Sequence, residues 1–285
     1  MFSLRNKKIA GRAPPLSSRL LQAPRPLLDS THCTAISWAA KSACTHVLVW
    51  HLARIGLLEE AEAHHSWLHR YREEKYYAHD CYQKAKDQIL RDGTEKWTLV
   101  KVVRDPVKRC VSSYRHALKH GYENQPMSRR LGRDIDHLAG YSFETFIDYL
   151  ERIDLHHCNI HHRSQAHSLD KLPYRKVFLI NVDEQDLSVA LERIDSLQGR
   201  DAAADRSHGN QAISRAARRH ASNHAGKGNS DPEIWRQCLR SGDVDNWPKE
   251  ALQNAGPAVE RIKRIYASDY AMIALLSKRS ADLRT

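Results

Sequence analysis

AISWAAKSACTHVLVWHLARIG, residues 35–56, changes its periodicity halfway along. Residues 35–40 are uncharged and mostly apolar, the composition of a buried strand. From Cys44 onward Val47, Leu48, His51, Leu52 and Ile55 recur at helical spacing. Between the two lies Lys41-Ser42-Ala43-Cys44-Thr45, a turn of small and hydroxyl residues. Strand, small-residue turn and helix N-terminus together make an anion cradle, because the first N–H groups of a helix have no acceptor within it. The glycine-rich phosphate-binding pattern would need glycine where this chain has Ala35 and Ala40. Any anion held here is therefore held without glycine.

Working outward, strands alternate with helices. Thr34 to Ala40 reads as the first strand, and a helix follows over 44–58. Residues 59–91 read as one longer, more polar helical stretch ending at Asp92-Gly93. WTLVKVV (97–103) is a compact apolar strand, and Asp105-Pro106 opens a helix that Gly121 stops after His120. Ser142 to Thr145 caps a helix running through Arg152. KVFLIN (176–181) is a third strand, followed by a helix over 186–198, and the chain closes on a helix over 257–278. The alternation predicts an α/β fold with a mostly parallel sheet covered on both faces. Residues 31–285 are expected to form one domain, with 199–230, rich in Gly, Ala, Ser, His and Asn, as a mobile loop or insertion. Residues 1–30 carry Arg5, Lys7, Lys8, Arg12, Arg19 and Arg25 with no acid before Asp29, and four prolines. They read as a disordered basic tail, with a mitochondrial transit peptide as the alternative.

The net charge of +11, from 45 basic and 34 acidic residues, favours anionic partners without choosing among them. No apolar run approaches membrane-spanning length. Six scattered cysteines without a CxxC pair argue against zinc fingers and a disulfide framework, and for a reducing compartment.

A second stretch, VKVVRDPVKRCVSSYRHALKHG (100–121), places Arg104 at the carboxyl end of a strand, where α/β proteins bind ligands. Ser112 follows eight residues later, about two turns into the next helix. A guanidinium and a hydroxyl so placed can hold one phosphate from two sides. The alternative is Arg104 paired with Asp105 and Ser112 facing solvent.

Taken together, the two stretches resemble the sulfotransferases that use 3′-phosphoadenosine 5′-phosphosulfate (PAPS). Lys41-Ser42-Ala43-Cys44-Thr45 resembles their 5′-phosphosulfate loop, in the form closest to the carbohydrate branch. Arg104-Asp105-Pro106-x-x-Arg109-x-x-Ser112-x-Tyr114 resembles their 3′-phosphate motif. Downstream, His161-His162-Arg163-Ser164-Gln165 is similar to their His-Trp-Arg-Pro-Gln stretch, with Trp and Pro replaced. Tyr266-Ala267-Ser268-Asp269-Tyr270 is similar to their terminal Tyr-x-x-Asp segment. The resemblance spans about 35–275, and only its first two motifs are specific.

It implies a P-loop NTPase-like three-layer α/β/α fold and transfer of a sulfuryl group from PAPS to a hydroxyl, on a carbohydrate or another acceptor. Lys41 would stabilise the leaving phosphate; Ser42, Ala43, Cys44, Thr45 and His46 would line the donor loop; Arg104 and Ser112 would take the 3′-phosphate. His46 departs from the residues usual after the loop. Arg109 would support the fold or the adenosine side. No metal is implied. The base that accepts the acceptor's proton is expected among His79, His161, Glu62, Glu73 and Glu74.

Other readings carry less. A kinase is suggested by the acid after VKVVR, but Arg104 before Asp105 and the two missing glycines oppose it. In HHCNIHHRSQAH (156–167), His157 and His161 at i, i+4 with Cys158 suggest a zinc or nickel site, but the ligand set is incomplete and a basic turn is expected. The loop around Arg215, Arg218, Arg219, His220 and Lys227 suggests polyanion binding, but it lacks interleaved aromatics, and no dedicated nucleic-acid partner is expected. Without a signal anchor, the expected setting is cytoplasmic, with peripheral membrane association through the basic face.

Overall fold

The computed structural model of the chain describes residues 14–136, 138–200, 233–244 and 249–280. Its strands are β1 (Leu27–Asp29), β2 (Thr34–Ser37), β3 (Thr98–Val103), β4 (Tyr141–Ser142), β5 (Lys176–Asn181) and β6 (Cys238–Leu239). Its helices are α1 (Leu16–Leu21), α2 (Cys44–Arg54), α3 (Leu58–His64), α4 (Leu68–Glu74), α5 (Asp80–Asp92), α6 (Pro106–His120), α7 (Asn124–Leu131), α8 (Phe143–Leu150), α9 (Leu187–Leu197), α10 (Lys249–Gln253), α11 (Gly256–Ile265) and α12 (Ala267–Arg279).

The central sheet has the order β1-β2-β3-β5. β2, β3 and β5 run parallel, in the register Thr34↔Thr98 and Leu99↔Val177, and β1 closes one edge antiparallel. β3 is buried along its whole length. Its residues alternate between two cores, as a period of two requires. Val100 and Val102 join Phe178, Ile180, Leu48 and Leu191 on one face. Leu99 and Val103 join Val177, Leu179, Met272 and Leu276 on the other. A further core gathers α6, α8 and α11 around Tyr114, Phe146, Trp235 and Ile262.

The expected alternation of strands and helices is present, with three differences. The stretch read as one helix over 59–91 is α3, α4 and α5, separated by an extended residue at His65 and a 3₁₀ turn at Tyr76–Ala78. Buried Tyr71, Tyr76, Tyr77 and Tyr82 gather there, and packing them bends the chain where no Gly or Pro announces it. The closing helix divides at Tyr266 into α11 and α12. Residues 14–30 are not a tail: they form α1 and β1, with Leu20, Leu27 and Leu28 buried. Trp38 Nε1 and the Tyr77 hydroxyl both donate to the Arg25 carbonyl, at 2.9 and 3.0 Å, and tie this segment down. The rest of the expected tail, nearly all of 199–230 and the basic loop around Arg215 to Lys227 lie outside the described residues. Among the described residues no helix is long and apolar enough to cross a membrane.

Candidate active site

The turn after β2 supplies with ordinary residues what glycine would supply elsewhere. Lys41 has φ 67° and Ala43 φ 56°, both in the left-handed region. Each such residue costs roughly 1–2 kcal/mol without glycine. Ala43 is the N-cap of α2 and offers no side-chain acceptor to the helix's first N–H groups. Ser42 is fully buried, and its hydroxyl donates to Gln165 Oε1 at 3.0 Å. The serine hydroxyl expected to face an anion therefore anchors the loop from behind.

Lys41, Ala43, Cys44, Thr45 and His46 line a cleft of about 1120 Å³. Its walls carry six Lys or Arg residues (Arg25, Lys41, Arg72, Arg115, Lys119, Lys249) and one carboxylate, Glu73, a balance suited to an anion. Burial, with Arg104 and Lys249 nearby and Cys44 opposing, brings Lys41 from 10.5 down to about 8. His46 is lowered by burial against the opposing pull of Asp186, and its Nε2 lies 3.3 Å from the Ser188 hydroxyl.

Ser112 lines the same cleft from α6. Arg104 sits directly behind the loop: its Nη1 donates to the Lys41 carbonyl at 3.4 Å, and its Nε lies 3.5 Å from Asp183 Oδ1. It is not among the residues lining the cleft. The alternative pairing with Asp105 does not form, because that carboxylate caps α6 by accepting from the Val107 and Lys108 N–H groups at 3.0 Å. Arg109 is buried, donates to the Ala40 carbonyl at 3.0 Å and to the Arg163 carbonyl, and so supports the loop.

The base candidates separate. His79 caps α5, its Nδ1 accepting from the Cys81 N–H at 3.2 Å, and it does not line the cleft. Glu62 and Glu74 are also outside it, Glu74 being paired with Arg70 and His64. Glu73 lines the cleft and pairs with Arg72. His161 lines the cleft and stacks on His116 at 4.3 Å between ring centroids. Its own N–H donates to Asn159 Oδ1 at 3.1 Å, which fixes that oxygen as an acceptor. The His161 Nδ1, 2.8 Å from the same oxygen, must then carry the ring proton, leaving Nε2 with a lone pair. Buried Glu123 accepts from the Asn159 amide and stands behind this pair. Burial, then the charges of Lys41 and Arg109, bring His161 down to about 4. In the histidine-rich turn, His157 pairs with Asp154 at 2.7 Å. Among the described residues no group of three or more His, Cys, Asp or Glu could hold a metal ion.

Sequence reading missed His69, Arg72, Trp67, Arg115, His116, Lys119 and His120 on the cleft wall. His69 and Arg72 share one face of α4 at i, i+3, but nothing local sets them apart from other polar helix residues.

A model of the sulfotransferase family matches residues 36–272, from β2 into α12, a span containing the loop, Arg104, Ser112, His161 and Asp269. Comparison with curated proteins and with solved structures gives no match. With most of its length matched, and with a basic cleft built on the loop that opens the matched span, the chain belongs to the sulfotransferase family and is a transferase.

Proposed function

We propose that the protein transfers a sulfuryl group from PAPS to a hydroxyl of a carbohydrate acceptor. The observation that carries this reading is the single basic cleft shared by the Lys41 loop, Ser112 and His161. β2, the loop and α2 form a P-loop-like cradle in a three-layer α/β/α arrangement. The 5′-phosphosulfate lies against the N–H groups opening α2, with Lys41 on its bridging oxygen and the Thr45 hydroxyl beside it. Ser112 holds the 3′-phosphate from the α6 wall and aligns the donor, while Arg104, expected beside it, stands behind the loop on the Lys41 carbonyl and reaches that phosphate only by leaving this contact.

In the reaction the acceptor oxygen bonds to sulfur as the S–O bond to the 5′-phosphate breaks. The acceptor proton goes to His161 Nε2, and the bond's electron pair goes to the phosphate oxygen, where Lys41 offsets the developing charge. Part of the depression of His161 comes from Lys41. A bound anion offsets that charge, so the donor itself makes the base stronger. A sulfuryl group carries one charge fewer than a phosphoryl group, and this scheme needs no metal. Trp67, 55% exposed on the cleft lip, offers an aromatic face to a sugar.

The test uses labelled PAPS with a panel of glycans, and adenosine 3′,5′-bisphosphate in thermal unfolding. Transfer, lost in Lys41→Ala with the fold intact, and stabilisation by the bisphosphate without metal are expected. Stabilisation by Mg·ATP in place of the bisphosphate would refute the reading.

A further inference from the structure

Thr45 is held by a short chain of side chains that the reaction scheme above does not use. Arg72 is 3% exposed, and its guanidinium lies over the Trp38 ring at 4.2 Å. Its Nε donates to Glu73 Oε1 at 3.1 Å and its Nη1 donates to His69 Nδ1 at 2.8 Å. An arginine nitrogen can only donate, so His69 Nδ1 accepts and the ring proton resides on Nε2. That nitrogen is 2.9 Å from Thr45 Oγ1 and 3.8 Å from Cys44 Sγ. The nearer contact makes His69 the donor and Thr45 Oγ1 the acceptor. The threonine proton then turns away from His69, and among the described residues it meets no protein acceptor. Thr45 and His69 both line the cleft.

We propose that His69 is a positioning residue, fixed by Arg72, that turns the Thr45 hydroxyl proton toward an oxygen of the anion at the N-terminus of α2. This rests on the donor placement proposed above. It assigns His69 no proton exchange with the acceptor, because its Nδ1 lone pair is engaged by Arg72 and its Nε2 already donates.

One experiment reads the tautomer without activity. Long-range ¹⁵N–¹H correlation on the ¹⁵N-histidine-labelled full chain is expected to show the Nε2–H form for His69, assigned by its absence in His69→Gln. A His69 in the Nδ1–H form would overturn the proposal. A double-mutant cycle reads the coupling through binding of adenosine 3′,5′-bisphosphate and through kcat with PAPS. Thr45→Val and His69→Ala should each weaken binding about tenfold, the worth of one hydrogen bond to a charged group. The double variant should be no weaker than Thr45→Val alone. His69→Gln, which keeps an N–H donor, should recover most of the loss, and thermal unfolding confirms each fold. Multiplicative losses in the cycle would overturn the proposal. So would a kcat loss in His69→Ala above a thousandfold that also removes the acid limb of the pH profile, since the ring would then be exchanging a proton. Retention of transfer in Lys41→Ala would instead overturn the donor placement itself, so the two failures are separable.

Discussion

Lys41 makes ligand affinity depend on pH in a way that can be worked out beforehand. In the free protein its ammonium titrates near 8 instead of 10.5, chiefly through burial. A phosphate bound against it restores the charged form, by up to about 3 kcal/mol for a full return to the ordinary value. Well below pH 8 the lysine is charged before and after binding and adds no pH slope, and the phosphates, titrating at about 6, change there. Above pH 8 the free lysine has lost its proton and binding must take one up, so affinity falls as pH rises. A group titrating near 8 is about nine-tenths charged at pH 7 and about one-tenth at pH 9, so Kd for adenosine 3′,5′-bisphosphate should rise about tenfold between them. Three of the five cleft histidines stay below this window, since His161 lies near 4 and both His46 and His120 are lowered. Calorimetry in buffers of different ionisation enthalpy should show uptake of about half a proton at pH 8. Lys41→Arg keeps a charge that does not titrate here, and should bind with no pH slope and no proton uptake. A flat wild-type Kd, or the same slope in Lys41→Arg, would refute the reasoning.

Other outcomes follow from single contacts. His161→Ala should lower kcat by roughly 10²–10⁴ with adenosine 3′,5′-bisphosphate binding nearly intact, and Asn159→Ala should show a smaller loss of the same kind; a loss confined to ligand binding would remove His161 as the base. Ser112→Ala should weaken adenosine 3′,5′-bisphosphate about tenfold and leave adenosine 5′-phosphate unchanged, because in the proposed placement the hydroxyl serves only the 3′ group. Lys101→Met strands Asp170, which lies 3.0 Å from the Lys101 ammonium, and should cost about 3–5 kcal/mol in urea unfolding; a loss below about 1 kcal/mol would contradict a buried pair. Ala43→Gly relieves roughly 1–2 kcal/mol of left-handed strain and adds about 0.5–1 kcal/mol of unfolded-chain entropy. Thermal unfolding should show it neutral or slightly stabilised.

What could be read in the sequence was what neighbouring residues decide. β3 and β5 are apolar runs buried from end to end or nearly so. α6 has a start and a stop in the chain itself: Asp105 caps it, Pro106 opens it, and Gly121 takes the left-handed φ of 66° that ends it. The Lys41 loop was legible for the same reason. The breaks between α3, α4 and α5 were not, because aromatic packing makes them and no local signal marks them. β1 is three residues long, too short for an alternation to show. Within the site, His161 stood out from His79 in sequence only by its place in a weak family-like segment. Packing separates them, carrying His161, and not His79, to the cleft.

The two weaker motifs explain how a loop without glycine persists. Gln165 Oε1 accepts both from the Ser42 hydroxyl and from the Arg104 N–H, each at 3.0 Å, and its Nε2 donates to the Arg104 carbonyl at 2.9 Å. Asp269 in turn accepts from the Gln165 N–H at 2.8 Å, and the Tyr266 hydroxyl donates to the His162 carbonyl at 2.8 Å. The 161–165 segment is thus pinned by 266–269, and it pins the loop. Arg109 adds its bond to the Ala40 carbonyl, and Arg104 adds one to the Lys41 carbonyl. At about 1 kcal/mol for a typical hydrogen bond, and more where a guanidinium donates, these contacts are enough to hold two left-handed residues at roughly 1–2 kcal/mol each. Strain of this kind persists only where surrounding structure over-determines it. On this account the His-rich segment has two jobs: Gln165 holds the cradle, and four residues upstream His161 faces the cleft.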